Sequence, residues 1–328
     1  MRLTVCELPD DAKRRGLAWA ELTRYLRTSP TDMLVLPEMP FVEWTVFRTA
    51  TFDPVVWRQI LAEHDTMLFQ LSELAAEAVL ASRPVEDAGR RLNQGFAWTR
   101  ASGYRSSRSK VYLPDGPDGW EATWFDRGSL DPSLLTCDDV RVGFQLCTEM
   151  LFTDVSWRLG RAGAQIIAAP RATGGHRRWR AAASLVAVVS GCFVASSNRR
   201  SYEGDDFVGQ SWIISPEGDI SRRPPPTHRS RPWTSISERP HRPRRCTRGI
   251  SFSRGDGSHD GPVGGRTRAR RPRRLRSLAL DELGDGHAAT EPLHQLVRIE
   301  LDADRILVER RRVHPGLAFL GGGEVVDL

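Results

Sequence analysis

A cysteine, a glutamate and a lysine, each beside an apolar run, are the residues of this chain best suited to covalent chemistry. Cys147 follows Val142-Gly143-Phe144-Gln145-Leu146 and precedes a helical pattern, so it sits where a strand turns into a helix. A thiolate there would be a stronger nucleophile than water, and a helix N-terminus is expected to lower its pKa. Glu38 ends Leu34-Val35-Leu36-Pro37, a buried-strand pattern that delivers a carboxylate at its C-terminal end. Lys110 stands before Val111-Tyr112-Leu113-Pro114 and is one of only two lysines, with Lys13, against 45 arginines. A lysine kept where arginine is the rule suits a compact point charge. Taken singly, each has a plainer reading: a core thiol, a first-turn helix charge, a solvated lysine. Cys6, Cys137 and Cys192 are read as small core residues, and five scattered cysteines without a CxxC pair argue against a disulfide framework or a zinc site.

The elements that must position these groups alternate as in an α/β protein. MRLTVCEL, DMLVLPEM, DVRVGFQLC, AQIIAAP, CFVASSN and GQSWIISPEGDI read as strands. GLAWAELTRYLRT, TEMLFTDVSWRLGRAGA and HRRWRAAASLVAVVSG read as helices. The stretch from Asp53 to Arg83 is expected to be one helix ending before Pro84, and residues 91–114 paired strands or a hairpin. No apolar run is long enough to span a bilayer, and the start of the chain is polar within ten residues; the expectation is a cytoplasmic protein.

The order of Glu38, Lys110 and Cys147, each in its own segment, resembles the nitrilase or carbon–nitrogen hydrolase superfamily over residues 1–220. The segments Gly163–Pro170, Gly191–Arg199 and Gly209–Gly218 are similar to it as well. The resemblance implies a four-layer α-β-β-α sandwich, no cofactor or metal, and a homo-oligomer built by helices packing across the sandwich. It also implies a thiol hydrolase acting on a small-molecule amide or, in second place, a nitrile or carbamoyl compound. Glu38 would take the thiol proton and later activate water. Lys110 would hold positive charge near the oxyanion beside the backbone N–H of Thr148. Glu121, in Gly119-Trp120-Glu121-Ala122, matches the family's second glutamate. Arg171 and Glu149 are the candidate substrate contacts. Met150, Leu151 and Phe152 follow the cysteine where carbamoylase-like members carry basic residues, which argues for a neutral or apolar acyl portion.

After Ile220 the alternation stops. Residues 221–276 hold 17 arginines against the acids Glu238, Asp256 and Asp260, with no apolar period of 2 or 3.6. This stretch could be a basic arm for nucleic acid, but Trp233 and Phe252 are its only aromatics. Read in one alternative frame, its codons permit Val-Asp-Ile-Asp-Leu and Tyr-Pro-Arg-Tyr, both similar to the family's closing segments. Residues 221–328 are therefore expected not to be native to the fold, as the product of a shifted reading frame. That would leave the sheet edge unpaired and the chain open to being an inactive relative despite its catalytic residues. Residues 293–313 regain a weak strand- or helix-like pattern.

Overall fold

The computed structural model describes residues 1–116, 119–202 and 206–220, together with the backbone of strands within 294–302, 305–313 and 324–327. All described elements belong to one compact unit, Met1–Arg223 with Thr290–Leu328; a second unit, Pro224–Ala289, lies outside the described residues. The arginine-rich stretch and its nucleic-acid reading lie outside them too.

The first sheet grows from β1 (Arg2–Pro9), which pairs in parallel with β2 (Thr31–Val35) through the crossover helix α1 (Ala12–Thr28). Asp11 starts that helix by accepting the Arg14 N–H at 2.7 Å. Next to β2 runs β3 (Ala76–Asp87), and β4 (Arg90–Thr99) and β5 (Gly103–Ser109) follow as an antiparallel meander. Helix α2 (Pro54–Gln70) begins with proline in its first turn and Asp53 as cap, accepting from Val55 and Val56. Here the structure corrects the single helix expected over 53–83. Its second half is β3, an interior strand buried on both faces. Such a strand reads as an unbroken apolar run, and its alanines made it resemble helix.

The second sheet runs in the order β11 (Trp212–Ile214), β9 (Phe193–Ser196), β8 (Ile166–Ala168), β7 (Val140–Phe144), β6 (Leu135–Cys137). Helices α4 (Thr153–Arg161) and α5 (Arg178–Ser190) lie between its strands in sequence, and a short α3 (Glu121–Trp124) precedes it. Three apolar clusters define the layers. Leu3, Val5, Val35 and Leu80 of the first sheet meet Val142, Phe144, Ile166 and Ile213 of the second. Leu22 and Leu26 of α1 cover the first sheet's other face, and Val155, Leu159, Val186 and Ala187 of α4 and α5 cover the second's. This is the expected α-β-β-α sandwich. Burying a Leu or Val side chain contributes roughly 1.5–3 kcal/mol, so the packing of these faces against each other dominates the fold's stability. Gly95 of β4 sets how closely the sheets approach, since a Cβ there would come within 2.7 Å of the Phe144 ring. No helix among the described residues is long and apolar enough to cross a membrane.

The chain passes from one sheet to the other at Ser197. After β9 it continues as β10 (Asn198–Arg200), parallel to β1. The Ser197 hydroxyl donates to the Val35 carbonyl at 2.6 Å and accepts the Cys6 N–H at 3.1 Å, stitching the sandwich at this end. On the far side of β1 the unpaired edge expected from the sequence is occupied. There β12 (His294–Asp302) runs antiparallel to Arg2–Cys6, followed by β13 (Arg305–Val313) and β14 (Glu324–Asp327). The apolar residues Leu296, Val297, Ile299 and Leu301 within the weak pattern read from the sequence resolve into strand rather than helix.

Candidate active site

Glu38, Lys110 and Glu121 come from three separate elements and converge on one buried ion cluster. Glu38 follows β2, Lys110 follows β5, and Glu121 opens α3. The ammonium of Lys110 donates at 2.8 Å to Glu38 Oε1 and at 2.8 Å to both oxygens of Glu121. All three side chains are essentially inaccessible. Burial works against the charge of Lys110, but Glu121 and then Glu38 outweigh it and hold its pKa above the ordinary lysine value. Burial pushes the Glu121 carboxyl up to about 7, with Lys110 opposing and Glu38 adding to the rise.

Asn93 of β4 completes the cluster and was not singled out from sequence. Its amide donates to Glu38 Oε1 at 2.9 Å, and its backbone carbonyl accepts the Lys110 N–H at 2.8 Å. A signal existed: asparagine is depleted in strand interiors, yet here it stands inside a strand pattern. Because Asn93 and Lys110 both occupy Oε1, the other oxygen of Glu38 is buried without a hydrogen-bond partner.

Cys147 begins a 3-10 turn, Cys147–Leu151, directly after Leu146. Its backbone φ is 48°, in the left-handed region, and Met39, next to Glu38, has φ 41°. Strained backbone of this kind is what functional sites retain when the surroundings over-determine it. The surroundings do so. Cys147 donates its N–H to the Pro170 carbonyl at 3.0 Å, and Met39 donates to the Ser82 hydroxyl at 3.2 Å. Arg199 braces the same loop through the carbonyls of Glu38, Met39 and Val42 and pairs with Asp10 at 2.5 Å. Arg199 closes the family-like segment Gly191–Arg199, but the sequence assigned it no role.

The thiol differs from expectation. Burial, then the charge of Glu38, raise the Cys147 pKa well above its usual value, and the lowering by Lys110 does not compensate. The turn is too short and too enclosed for a helix N-terminus to dominate. Burial and the Glu38 charge both favour the neutral thiol over the thiolate. Thr148 follows within the turn, where the first N–H groups have no partner inside the helix, and its hydroxyl donates to the Tyr112 carbonyl at 2.9 Å.

Two expected substrate contacts serve the framework instead. Glu149 is bidentate to Arg108 at 2.5 and 2.9 Å and also accepts the N–H groups of Val111 (2.7 Å) and Leu146 (2.9 Å). Four donors leave its carboxylate no free site, and it ties the Lys110 strand to the cysteine turn. Glu149→Ala should cost on the order of 3–5 kcal/mol by leaving Arg108 buried and unpaired, read as a lower unfolding midpoint. An unchanged midpoint with an altered KM would restore the substrate-contact role. Arg171, 1% exposed, gives Nε to Ser196 (2.6 Å), Nη1 to Thr173 (2.7 Å) and Nη2 to the Gln210 carbonyl (2.7 Å), so it is held inward rather than offered to a substrate carboxylate. Among the described residues no group of three His, Cys, Asp or Glu side chains is placed to hold a metal ion.

Comparison with known proteins agrees with this fold. Residues 9–237 match the carbon-nitrogen hydrolase family. Deaminated glutathione amidase of Mus musculus is 31% identical over 101 residues, which are 29% of this chain and 31% of that protein. A carbon-nitrogen hydrolase from Helicobacter pylori G27 superposes with a TM-score of 0.59 at 18% identity, covering 67% of this chain and 84% of that one. A mutant amidase from Nesterenkonia sp. AN1, carrying acrylamide added at its active-site cysteine, superposes with a TM-score of 0.56 at 18% identity, covering 67% and 87%.

Proposed function

This chain belongs to the carbon-nitrogen hydrolase family, and from that premise we propose that it is an amidase-type thiol hydrolase with Cys147 as nucleophile. The observation that carries the reading is the arrangement of charge. Lys110 is locked between Glu38 and Glu121, while one Glu38 oxygen stays unpaired in a site whose field acts on a protonated, buried thiol. That oxygen takes the Cys147 proton as sulfur attacks the substrate carbonyl and a C–S bond forms. Lys110 and the Thr148 N–H stabilise the oxyanion. Collapse breaks the C–N bond, and the amine leaves with the proton from Glu38. Water then gives its proton to Glu38 and its oxygen to the thioester; the C–S bond breaks and the thiol is restored. The amidases among its relatives favour amides over nitriles. With Arg171 and Glu149 both engaged internally, the acyl portion is neutral.

The direct test is mass spectrometry of the intact protein after brief exposure to simple amides, nitriles and carbamoyl compounds. An acyl adduct mapped to Cys147 with amides is expected; no adduct with any of the three classes would sink the reading. A second expectation concerns pH. Glu121 must be ionised to neutralise Lys110 and leave Glu38 free to act as base. Activity should therefore fall as pH drops through about 7, far above the ordinary carboxylate range. Glu121→Gln, a permanent counterpart of the neutral carboxyl, should lower activity at every pH and remove the limb near 7. The stability sign is opposite: taken alone, a carboxyl whose pKa is raised on folding favours the folded state at low pH and loses that contribution as pH rises through about 7. A pH–rate profile unchanged in Glu121→Gln would remove Glu121 from the mechanism.

The exposed Trp157 on α4 and Leu185 and Val188 on α5 support association of two copies through these helices. A strictly monomeric sedimentation profile would refute it. The proposal also keeps the arginine-rich stretch from Ser221 as the product of a shifted frame. Resequencing should find a gained or lost base near codons 220 and 221, and a verified gene would make the stretch native.

A further inference from the structure

Arg171 is a buried cation with no carboxylate among its hydrogen-bond partners. Its guanidinium meets Ser196, Thr173 and the Gln210 carbonyl, and its flat face lies 3.8 Å over the Trp212 ring. Removing an unpaired charge from water costs several kcal/mol, so something must offset it. The backbone around it says what. Pro170, just before it, accepts the Cys147 N–H at 3.0 Å, and the Ala172 carbonyl, just after it, lies 3.9 Å from Cys147 Sγ. The Arg171 carbonyl itself accepts the Glu38 N–H at 3.3 Å. One short segment after β8 thus contacts both Cys147 and Glu38, and the guanidinium anchors it to β9 and to the loop leading into β11.

Charge gives the second half of the argument. Once Glu121 is ionised, above about pH 7, two carboxylates face the single ammonium of Lys110, so the cluster is anionic before Cys147 loses its proton. Arg171 adds a buried positive charge near it, whereas the other buried guanidinium of this region, Arg199, is already paired with Asp10. Burial pulls the Arg171 pKa down to about 9, and a Cys147 thiolate, then Glu7 of β1, are the groups that oppose that fall. Glu7 is itself occupied by the Gln210 and Ser211 N–H groups and by Arg200.

We propose that Arg171 is a positioning residue: its guanidinium is the second cation of the site, which lowers the cost of forming the Cys147 thiolate, while its backbone aligns Cys147 with Glu38. This rests on Cys147 being the nucleophile. The charged groups that act on the thiol are Glu38 after β2, Lys110 after β5 and Glu121 on α3, and Arg171 after β8 is coupled to it from the segment that holds its backbone.

The test is the pH dependence of alkylation of the full chain by iodoacetamide, a neutral probe, with labelled peptides mapped by mass spectrometry. Arg171→Gln keeps hydrogen-bonding capacity but drops the charge. It should raise the midpoint of Cys147 alkylation by about one pH unit or more, roughly a tenfold slower reaction near neutrality. Its kcat should fall in step, with KM within about twofold. Arg171→Lys keeps a cation and should hold the midpoint within about half a unit of wild type. A wild-type midpoint in Arg171→Gln, or a change confined to KM for carboxylate-bearing substrates, would overturn the proposal. If Arg171→Gln does not fold, Arg171→Lys decides alone, and a midpoint raised by a full unit counts against it. Wild-type protein that is not alkylated at Cys147 at all would instead overturn the proposed function.

Discussion

Cys147→Ala is expected to abolish turnover, with a loss on the order of 10⁴-fold or more, because the covalent route disappears and only binding and oxyanion stabilisation remain. The fold should survive. Sulfur is the only heavy atom removed, its nearest polar contact is the long 3.9 Å approach to Ala172, and alanine adopts the left-handed φ of 48° no more easily or less easily than cysteine. A stability change within about 1 kcal/mol follows, with the N–H to Pro170 retained. Cys147→Ser should be equally inactive, since Glu38 cannot draw a proton from a far less acidic hydroxyl. The measurements are amide hydrolysis and thermal unfolding side by side. Retained activity in Cys147→Ala would show that the nucleophile is elsewhere. Lost activity together with a lost fold would show only that the residue is structural.

Lys110→Arg is expected to lose on the order of 10² or more in kcat while the site keeps its net charge. The cage around Lys110 has room for one compact ammonium: three oxygens stand at 2.8 Å, and the side chain is fully enclosed. A planar guanidinium is larger and would spread its donors, pulling Glu38 away from the thiol or forcing the Glu121 end of α3 outward. Removing the charge should be worse for stability than for shape. Lys110→Met would strand two buried carboxylates and cost about 3–5 kcal/mol, so this variant should unfold at markedly lower temperature. Near-normal turnover in Lys110→Arg would mean that charge alone suffices. Normal stability in Lys110→Met would mean that the cluster is solvated.

Much of the architecture was readable because its signals are local. Strands β1, β2, β7, β8 and β9 are short apolar runs between turn residues, and α1 and α5 carry helical spacing, so the alternating α/β pattern followed from periodicity. Where two elements share one signal the reading failed. The alanine-rich β3 looked helical because an interior strand loses the alternation that betrays strands. The pattern over 293–313 stayed ambiguous until pairing with β1 made its described residues sheet.

For the site, the residue types at Glu38, Lys110, Glu121 and Cys147 stand in the sequence, and chemistry narrows what such types can do together. Which of them meet is another matter. Glu38 and Lys110 are 72 residues apart, and only the parallel register of β1, β2 and β3 and the meander through β4 and β5 bring them within 2.8 Å. The roles of Arg171 and Glu149 were decided the same way. An arginine after a strand and a glutamate after a cysteine look available for substrate, and burial against internal partners took them away. So did the state of the thiol: a helix N-terminus is a local inference favouring thiolate, whereas desolvation and the neighbouring carboxylate are properties of the packed sandwich, and they favour the thiol. Residue identity determined which reactions are chemically open to this chain. Distance and dielectric, which exist only once the two sheets close on each other, decided which groups share a field and which oxygen of Glu38 is left to act.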